Sequence, residues 1–210
     1  MSIKAFILAA AVTLPLQQMD QWQVLEYRKI EANQVSFETT GMAIEVSASA
    51  SPIIYPLAEP VIVKGIEVSG RLSELLAVDS ALQGDDEHDD FALKIGLVVA
   101  GDQTLGGMQK LFSPDWVVTL FELAPEGAGI DHIHFLTAVQ GPERLQQQRV
   151  HPLSELIREH NVWLLDKPGA FSLTHRLDAP LQVVAVWLSI DGDNSQSSFR
   201  THLEQLRLLQ

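Results

Sequence analysis

Cysteine is absent from this sequence of 210 residues, and basic residues are scarce. Without cysteine there is no disulfide framework, no thiolate ligand for a metal and no cysteine nucleophile. The 14 Lys and Arg residues stand against 27 Asp and Glu residues and leave a formal net charge of −13. Nucleic acids and anionic membranes both require a basic surface, so neither is expected as a partner. The surplus of carboxylates favours cations instead.

Long apolar runs are also missing, because the longest one, Ala5–Leu16, is shorter than the roughly 20 residues that span a bilayer. This run follows a short segment with a single Lys, an arrangement typical of a secretory signal. We therefore predict a signal peptide at residues 1–18, one domain at residues 19–210 and a periplasmic or secreted location. The alternative is that the run forms the first strand or helix of the core.

Apolar and polar residues alternate along much of the chain after residue 20, which indicates β-strands. The clearest case is Phe91–Val99, in which every second residue is a large apolar one. Val183–Ile190 is apolar on both faces and is expected to be a central strand that is covered on both sides. The other predicted strands are Met42–Ala48, Pro60–Ser69, Trp116–Leu123, Ile133–Val139 and Leu203–Leu209.

Helical spacing of apolar residues is rare in this sequence. It predicts one helix at Pro152–His160 and a second helical turn within Arg71–Leu82. Many short strands separated by turn signals are typical of an all-β sandwich or barrel. The predicted fold is a single β-sandwich with one or two short helices and a jelly-roll architecture, of the galactose-binding-like or concanavalin-like kind.

Three segments occur in an order that resembles a known family. The Ala- and Ser-rich Met42–Ser51 comes first, the acidic strand start Asp89–Ile95 follows, and Val186–Ser195 ends in a D-x-D-N turn before a last strand. This order resembles the bacterial family of exported proteins called domain of unknown function 3047, over residues 22–209. The resemblance implies a β-sandwich of the jelly-roll kind and export. It supplies no catalytic residues.

Two carboxylate-rich segments predict a structural Ca²⁺, because calcium takes six to eight oxygen ligands from loops of this kind. The alternative is a solvated acidic loop that protects a sheet edge from aggregation. The candidate ligands are Asp85, Asp86, Asp89 and Asp90 in the first segment and Asp191 and Asp193 in the second.

Three further residues are candidate ligand-binding residues. His132 and His134 lie two positions apart on a predicted strand, so their side chains share one face and can hold a ligand or a metal together. We expect this face to point away from the core that Ile133 and Phe135 enter. Trp163 is a candidate platform for a sugar ring. The alternative for the histidines is that both are exposed or lie in the wall of a pocket. The alternative for Trp163 is that it belongs to the core.

Catalytic motifs are missing, since the sequence contains neither a G-x-S-x-G nor an H-E-x-x-H pattern. The predicted function is a non-catalytic module that binds a carbohydrate or a cell-envelope glycan, with the structural Ca²⁺ described above. One alternative is an envelope domain that binds another protein. The other is a metal-dependent or carboxylate-based hydrolase, for which Glu122 is the candidate carboxylate outside the acidic segments.

Overall fold

The computed structural model describes residues 11–85, 88–126, 128–151 and 154–210. Within these ranges the chain forms eleven β-strands and two short α-helices. The helices are α1 (Gly107–Phe112) and α2 (Asp115–Glu122). The strands are β1 (Ala11–Thr13), β2 (Gln23–Val24), β3 (Gln34–Glu38), β4 (Gly41–Ser47), β5 (Ala50–Leu72), β6 (Lys94–Gly101), β7 (Gly129–Val139), β8 (Gln148–His151), β9 (Ser154–Leu164), β10 (Gly169–Asp191) and β11 (Ser198–Leu209).

One sheet contains all of these strands, in the order β3-β4-β11-β5-β10-β6-β7-β9-β8, with β1 beside β11 and β2 beside β5. The long strands β5 and β10 pair with each other along both of their halves. The register is interrupted between Arg176 and Leu181. The sheet folds into two layers at this interruption. The two halves of the long strands have different neighbours, since only the second half of β10 pairs with β6 and only the second half of β5 pairs with β11.

Layer one consists of β1, β3, β4, β11, the second half of β5 and the first half of β10. Layer two consists of the remaining halves of β5 and β10 with β2, β6, β7, β9 and β8. An inner core lies between the layers, where Met42 and Leu206 of layer one join the same buried cluster as Ile95, Leu136 and Leu188 of layer two. The predicted all-β jelly-roll sandwich with one or two short helices is confirmed.

A second, smaller cluster covers the outside of layer two, and we call it the outer core. Ile133, Phe135 and Trp187 of the sheet pack there, together with the fully buried Leu120 of α2. Both faces of β10 are therefore covered over Val183–Ile190, which confirms the predicted central strand.

Three predicted elements are wrong. Trp116–Leu123 forms α2 instead of a strand: Trp116 and Leu120 are spaced for one helix face, and both pack in the outer core. Pro152–His160 is strand from Ser154 onward, because its backbone pairs with β7 on one side and β8 on the other. Within Arg71–Leu82, β5 continues to Leu72 and the described residues beyond it form turns and bends.

Part of the predicted signal peptide packs against the domain, whereas residues 1–10 lie outside the described residues. β1 pairs with the end of β11, and the Leu14 amide donates a hydrogen bond of 2.9 Å to the Leu206 carbonyl. Leu14 and Leu16 are only 2% and 1% exposed. Among the described residues no helix is long and apolar enough to cross a membrane.

Candidate functional site

A cavity of about 480 Å³ opens on the outer side of layer two, beside the start of α2. Phe135 of β7 and Trp187 of β10, the two strands on either side of β6, are part of its lining. Gly96 lies between them on β6 and makes room for the aromatic side chain of Phe135, since a Cβ at Gly96 would be 2.7 Å from that ring. Trp116, in the first turn of α2, meets Trp187 edge-on with ring centres 6.4 Å apart. The cavity therefore has an aromatic corner.

The opposite part of the lining is polar and comes from strand ends. Asp191 ends β10, and its carboxylate accepts hydrogen bonds from the Phe91 amide (2.8 Å) and the Ser189 hydroxyl (3.1 Å). Burial raises the pKa of Asp191 to about 7, although the nearby Lys94 ammonium opposes the change. Asp191 therefore retains its proton to a much higher pH than an ordinary aspartate, and in the protonated form it can both donate and accept hydrogen bonds.

Buried charges form an ion-pair network at the base of the cavity. The Lys94 ammonium lies 2.5 Å from the Glu159 carboxylate, and both side chains are almost fully buried. Arg149 bonds the other oxygen of Glu159 and also Asp89, at 2.5 Å from the latter. The His151 imidazole lies 2.9 Å from the second oxygen of Asp89. Two cations therefore face two carboxylates, which compensates much of the cost of burying them.

The network also determines the protonation of its members. Burial alone would raise the pKa of Asp89, but the hydrogen bond with His151 and the charges of Lys94 and Arg149 lower it below its usual value. Burial alone would lower the pKa of Lys94, and Glu159, above all, raises it well above normal. Asp89 is ionised at neutral pH and Lys94 is charged, so these two groups are fixed charges in the cavity wall.

One triad in this network has the composition of a metal site. Ligand atoms of Asp89, His151 and Glu159 all lie within 4.8 Å of one another. Arg149 and Lys94 already bond both carboxylates, and two fixed positive charges would repel a divalent cation at this distance. We therefore interpret the triad as part of the ion-pair network.

The two predicted calcium-binding segments do converge, but protein groups bond their carboxylates. Asp90 accepts hydrogen bonds from the amides of Asn194 (3.3 Å) and Ser195 (2.6 Å). Asp85 pairs with Arg144 at 2.5 Å. Asp193, like Asp89 and Asp191, lines the cavity, whereas Asp86 lies outside the described residues. The binding of Ca²⁺ stays a prediction.

The predicted histidine pair is not in the cavity. His132 and His134 point to the inner side of layer two, since the register pairs His134 with Leu97, which is an inner-core residue. The expectation that the pair faces away from the main core was therefore wrong. Ile133 and Phe135 pack in the smaller outer core, so both faces of β7 are covered.

Trp163 lies on the same inner side, only 4% exposed, and it packs in the inner core. Its ring centre is 6.5 Å from that of His175, which in turn is 5.5 Å from that of His160. The structure thus brings the three predicted ligand-binding residues into one region, where Trp163 offers no open face to a sugar ring. Burial lowers the pKa of His134 to about 4, and the neighbouring imidazoles reinforce this effect.

Sequence reasoning missed three important cavity residues. Trp116 was predicted in a strand, and neither Tyr27 nor Lys94 was among the candidate residues. For Lys94 a signal was present, since a lysine between the large apolar residues of a strand indicates a buried ion pair. Glu122, the candidate catalytic carboxylate, is 60% exposed and lies 3.4 Å from Lys110.

No known family profile matches the sequence, and no curated protein matches it either. Among solved structures, the fold is similar to the xylan-binding module CBM15, with 8% identity, a TM-score of 0.39 and 96% of each chain covered. It is also similar to the metal-free exoplasmic/lumenal domain of VIP36 (12% identity, TM-score 0.36, 95% of this chain and 91% of that one). The carbohydrate recognition domain of Emp47p is a third (10% identity, TM-score 0.34, 94% of both chains).

These identities and TM-scores are too low to carry an argument about the ligand of this protein. The resemblance to domain of unknown function 3047 stays a prediction. The function has to be inferred from the cavity itself.

Proposed function

We propose that the cavity beside α2 binds a neutral glycan, and that the protein is a non-catalytic carbohydrate-binding domain. The observation that carries this proposal is the combination of the Trp116–Trp187 corner with Asp191, Asp193 and Asn194 in one cavity of about 480 Å³. A sugar ring has apolar C–H faces, which pack on aromatic rings, and hydroxyls, which carboxylates and amides bond. The volume lies within the range of about 300–1,000 Å³ that is common for small-molecule sites.

The charges of the cavity favour a neutral sugar over an acidic one. Asp89 is ionised, and the partly ionised Asp191 adds negative charge to the same wall. Among the described residues of the lining, Lys94 is the one basic residue apart from His151, and it is already paired with Glu159. A uronate or sulfate group would therefore meet repulsion here without a free cation to compensate it.

A neighbouring groove extends the cavity. This groove measures about 600 Å³ and shares Tyr27, Ile30 and Trp116 with the cavity lining. It continues to Leu111 and Phe112 of α1, and Phe112 is 84% exposed. A cavity that continues into a groove with an exposed aromatic side chain fits a chain of several sugar units better than a single one.

The proposed location is the periplasm or the cell exterior. It is supported by the signal predicted from the sequence at residues 1–18, although residues 11–16 of that segment pack in the folded domain. The exposed apolar side chains of α1 also suit the second predicted role, an envelope domain that binds another protein. Glycan binding is favoured because the cavity combines aromatic and polar groups, whereas a protein-binding surface needs no such cavity.

Tryptophan fluorescence and calorimetry with neutral xylo-, manno- and gluco-oligosaccharides test the proposal. At least one series should bind the wild type, and Trp116→Ala should weaken that binding by at least about tenfold, because it removes the partly exposed ring of the aromatic corner. Trp116→Phe should restore part of the affinity. Trp22→Phe is the matched control. Trp22 does not line the cavity, because it packs against Tyr55 in the inner core.

Two results would contradict the proposal. The first is a protein that binds only polyanionic glycans, which would show that the charge argument is wrong. The second is glycan binding that Trp116→Ala leaves unchanged while Trp22→Phe or another distant variant weakens it, which would place the glycan elsewhere.

One observation favours hydrolysis as a second candidate function. Asp89 and Asp191 line the same cavity, and their pKa values move in opposite directions. Glycosidases pair a protonated carboxyl as the acid with an ionised carboxylate. Prolonged incubation with the oligosaccharides that bind would then release new reducing ends, and Asp191→Asn would abolish this release. Binding of an oligosaccharide without release of new reducing ends would exclude hydrolysis of that oligosaccharide and support the non-catalytic role.

A further inference from the structure

Tyr27 lies where the cavity joins the groove. It belongs to the loop between β2 and β3 and lines both spaces, as do Ile30, Pro114 and Trp116. Among the described residues that line both spaces, Tyr27 alone has a side-chain oxygen. A ligand that continues from the cavity into the groove therefore passes beside this hydroxyl.

The loop that carries Tyr27 is anchored on both sides of it. Two residues earlier, the Leu25 amide donates a hydrogen bond of 2.9 Å to the Pro52 carbonyl of β5. On the other side, Arg28 bonds both carboxylate oxygens of Asp115, at 2.9 and 3.1 Å. Asp115 is the first residue of α2, which carries the aromatic corner. These contacts hold the loop in place before a ligand arrives, and a preorganised site loses less entropy on binding.

The Tyr27 hydroxyl makes no hydrogen bond within the described parts of the chain. The side chain is half-buried, and burial is the main reason why the pKa of its hydroxyl is raised. The hydroxyl therefore stays protonated at neutral pH and is largely withdrawn from bulk solvent. Polar groups in such positions are normally satisfied by a partner. An oxygen of a ligand in the cavity can be this partner.

The polar wall of the cavity offers acceptors, whereas two of its donors are already bonded. The Lys94 ammonium pairs with Glu159. The Ser189 hydroxyl lies 3.1 Å from a carboxylate oxygen of Asp191 and donates to it. A sugar hydroxyl that donates to a carboxylate still has lone pairs that accept a hydrogen bond. The Tyr27 hydroxyl can donate this complementary bond.

We propose that Tyr27 is a specificity-determining residue, whose hydroxyl donates a hydrogen bond to a hydroxyl oxygen of the sugar unit between the cavity and the groove. This inference rests on the proposed function and adds the residue that distinguishes one neutral sugar from another. Stacking on Trp116 tolerates either orientation of a ring hydroxyl, whereas a hydrogen bond from a fixed donor requires one orientation. Tyr27 thus selects among the neutral sugars that can stack on the aromatic corner.

Calorimetry with neutral xylo-, manno- and gluco-oligosaccharides compares the wild type with Tyr27→Phe, which keeps the ring and loses the hydroxyl. The affinity for the series that binds best should fall by about tenfold, as expected for one lost hydrogen bond. The ratio of affinities between the best and the second-best series should fall too. The reason is that a site donor rejects a sugar that leaves it unpaired, and the variant no longer has this donor.

The second tyrosine of the chain is the matched control, since the sequence contains only two. Tyr55 is not part of the cavity lining, and its hydroxyl donates to Gln21 at 3.1 Å. Tyr55→Phe should leave glycan binding unchanged. Tyr27→Phe should leave the melting temperature unchanged or raise it, because it removes no hydrogen bond between described residues of the unbound protein.

Failure of this inference can be told apart from failure of the proposed function. Binding that Trp116→Ala weakens but Tyr27→Phe leaves unchanged would overturn this inference alone. So would an equal loss of affinity for all three series, since Tyr27 would then have no part in specificity. A melting temperature of Tyr27→Phe several degrees below that of the wild type would overturn it too, because the hydroxyl would then stabilise the fold. Absence of binding of all three series to the wild type would overturn both.

Discussion

Asp191 makes the stability of this protein depend on pH. Its pKa rises from 3.8 to about 7 in the folded chain, chiefly through burial. The folded protein therefore retains a proton that the unfolded chain releases between these values. The resulting stabilisation is complete below the unfolded pKa and is lost as the pH rises through about 7.

Asp191→Asn should remove this dependence. The change in pKa corresponds to about 4 kcal/mol, and solvent at the cavity mouth reduces the expected effect to about 2 kcal/mol. The free energy of unfolding of the variant, relative to the wild type, should therefore increase by about this amount between about pH 4 and about pH 8. Urea denaturation at both pH values measures it, and Glu59→Gln, at an exposed carboxyl of β5, is the control. A difference that stays constant with pH would contradict the assignment.

Also at the scale of single residues, the sequence identified several residues that line the cavity but not the groups that contact them. Asp89, Asp191 and Asp193 were chosen as candidates and do line the cavity. Their surroundings could not be predicted, because Arg149, which pairs with Asp89, and Glu159, which pairs with Lys94, lie on strands that are distant in sequence. The direction of the histidine pair was mispredicted for a related reason: alternation distinguishes the two faces of a strand but does not say which of two cores is larger.

At the scale of elements, the strands whose own apolar pattern agrees with their burial were the easiest to predict. The predicted strand Phe91–Val99 lies in β6 from Lys94 onward, and Val183–Ile190 lies in β10. α2 was mispredicted because Trp116, Val118 and Leu120 have a period of two, while Trp116 and Leu120 also have the i, i+4 spacing of one helix face. β9 was mispredicted because the pairing with β7 and β8, which determines its conformation, is not visible in its own residues.

Helix α1 gives a prediction at this scale. Leu111 and Phe112 are 77% and 84% exposed and line the groove that continues the cavity. Phe112→Ala should weaken binding of a long neutral oligosaccharide by a few-fold to about tenfold, because stacking on one exposed ring contributes about 1 kcal/mol. It should leave the affinity for a disaccharide unchanged. Calorimetry with a series of increasing length measures this, and Met108→Ala, which is outside the groove lining, is the control.

At the scale of the whole molecule, the sandwich depends on contacts between distant parts of the chain. β5 and β10 pair over both halves although more than ninety positions separate them, as the Asp191–Ala50 and Gly169–Leu72 pairs show. The last strand, β11, lies between β4 and β5 and also carries β1. The N-terminal strand β1 therefore belongs to layer one through its pairing with the last residues of the chain.

Two truncations test how far the N-terminal segment belongs to the folded domain. Deletion of residues 1–10 leaves β1 and the buried Leu14 and Leu16 in place, whereas deletion of residues 1–18 removes all three. Each fully buried leucine contributes about 1.5–3 kcal/mol, so the longer deletion should lower the free energy of unfolding by at least about 3 kcal/mol relative to the shorter one. It also leaves the Trp22 indole without its acceptor, the Pro15 carbonyl at 3.1 Å.

Urea denaturation followed by tryptophan fluorescence compares the two truncated proteins directly. Leu16→Ala in the full chain is a milder variant of the same test, and its cost should be about 2–5 kcal/mol, as for other buried leucines. Equal stability of both truncated forms would show that residues 11–18 are dispensable for the fold, as a cleaved signal peptide requires. A large loss in the longer deletion alone would mean that any processing of the chain must leave β1 in place.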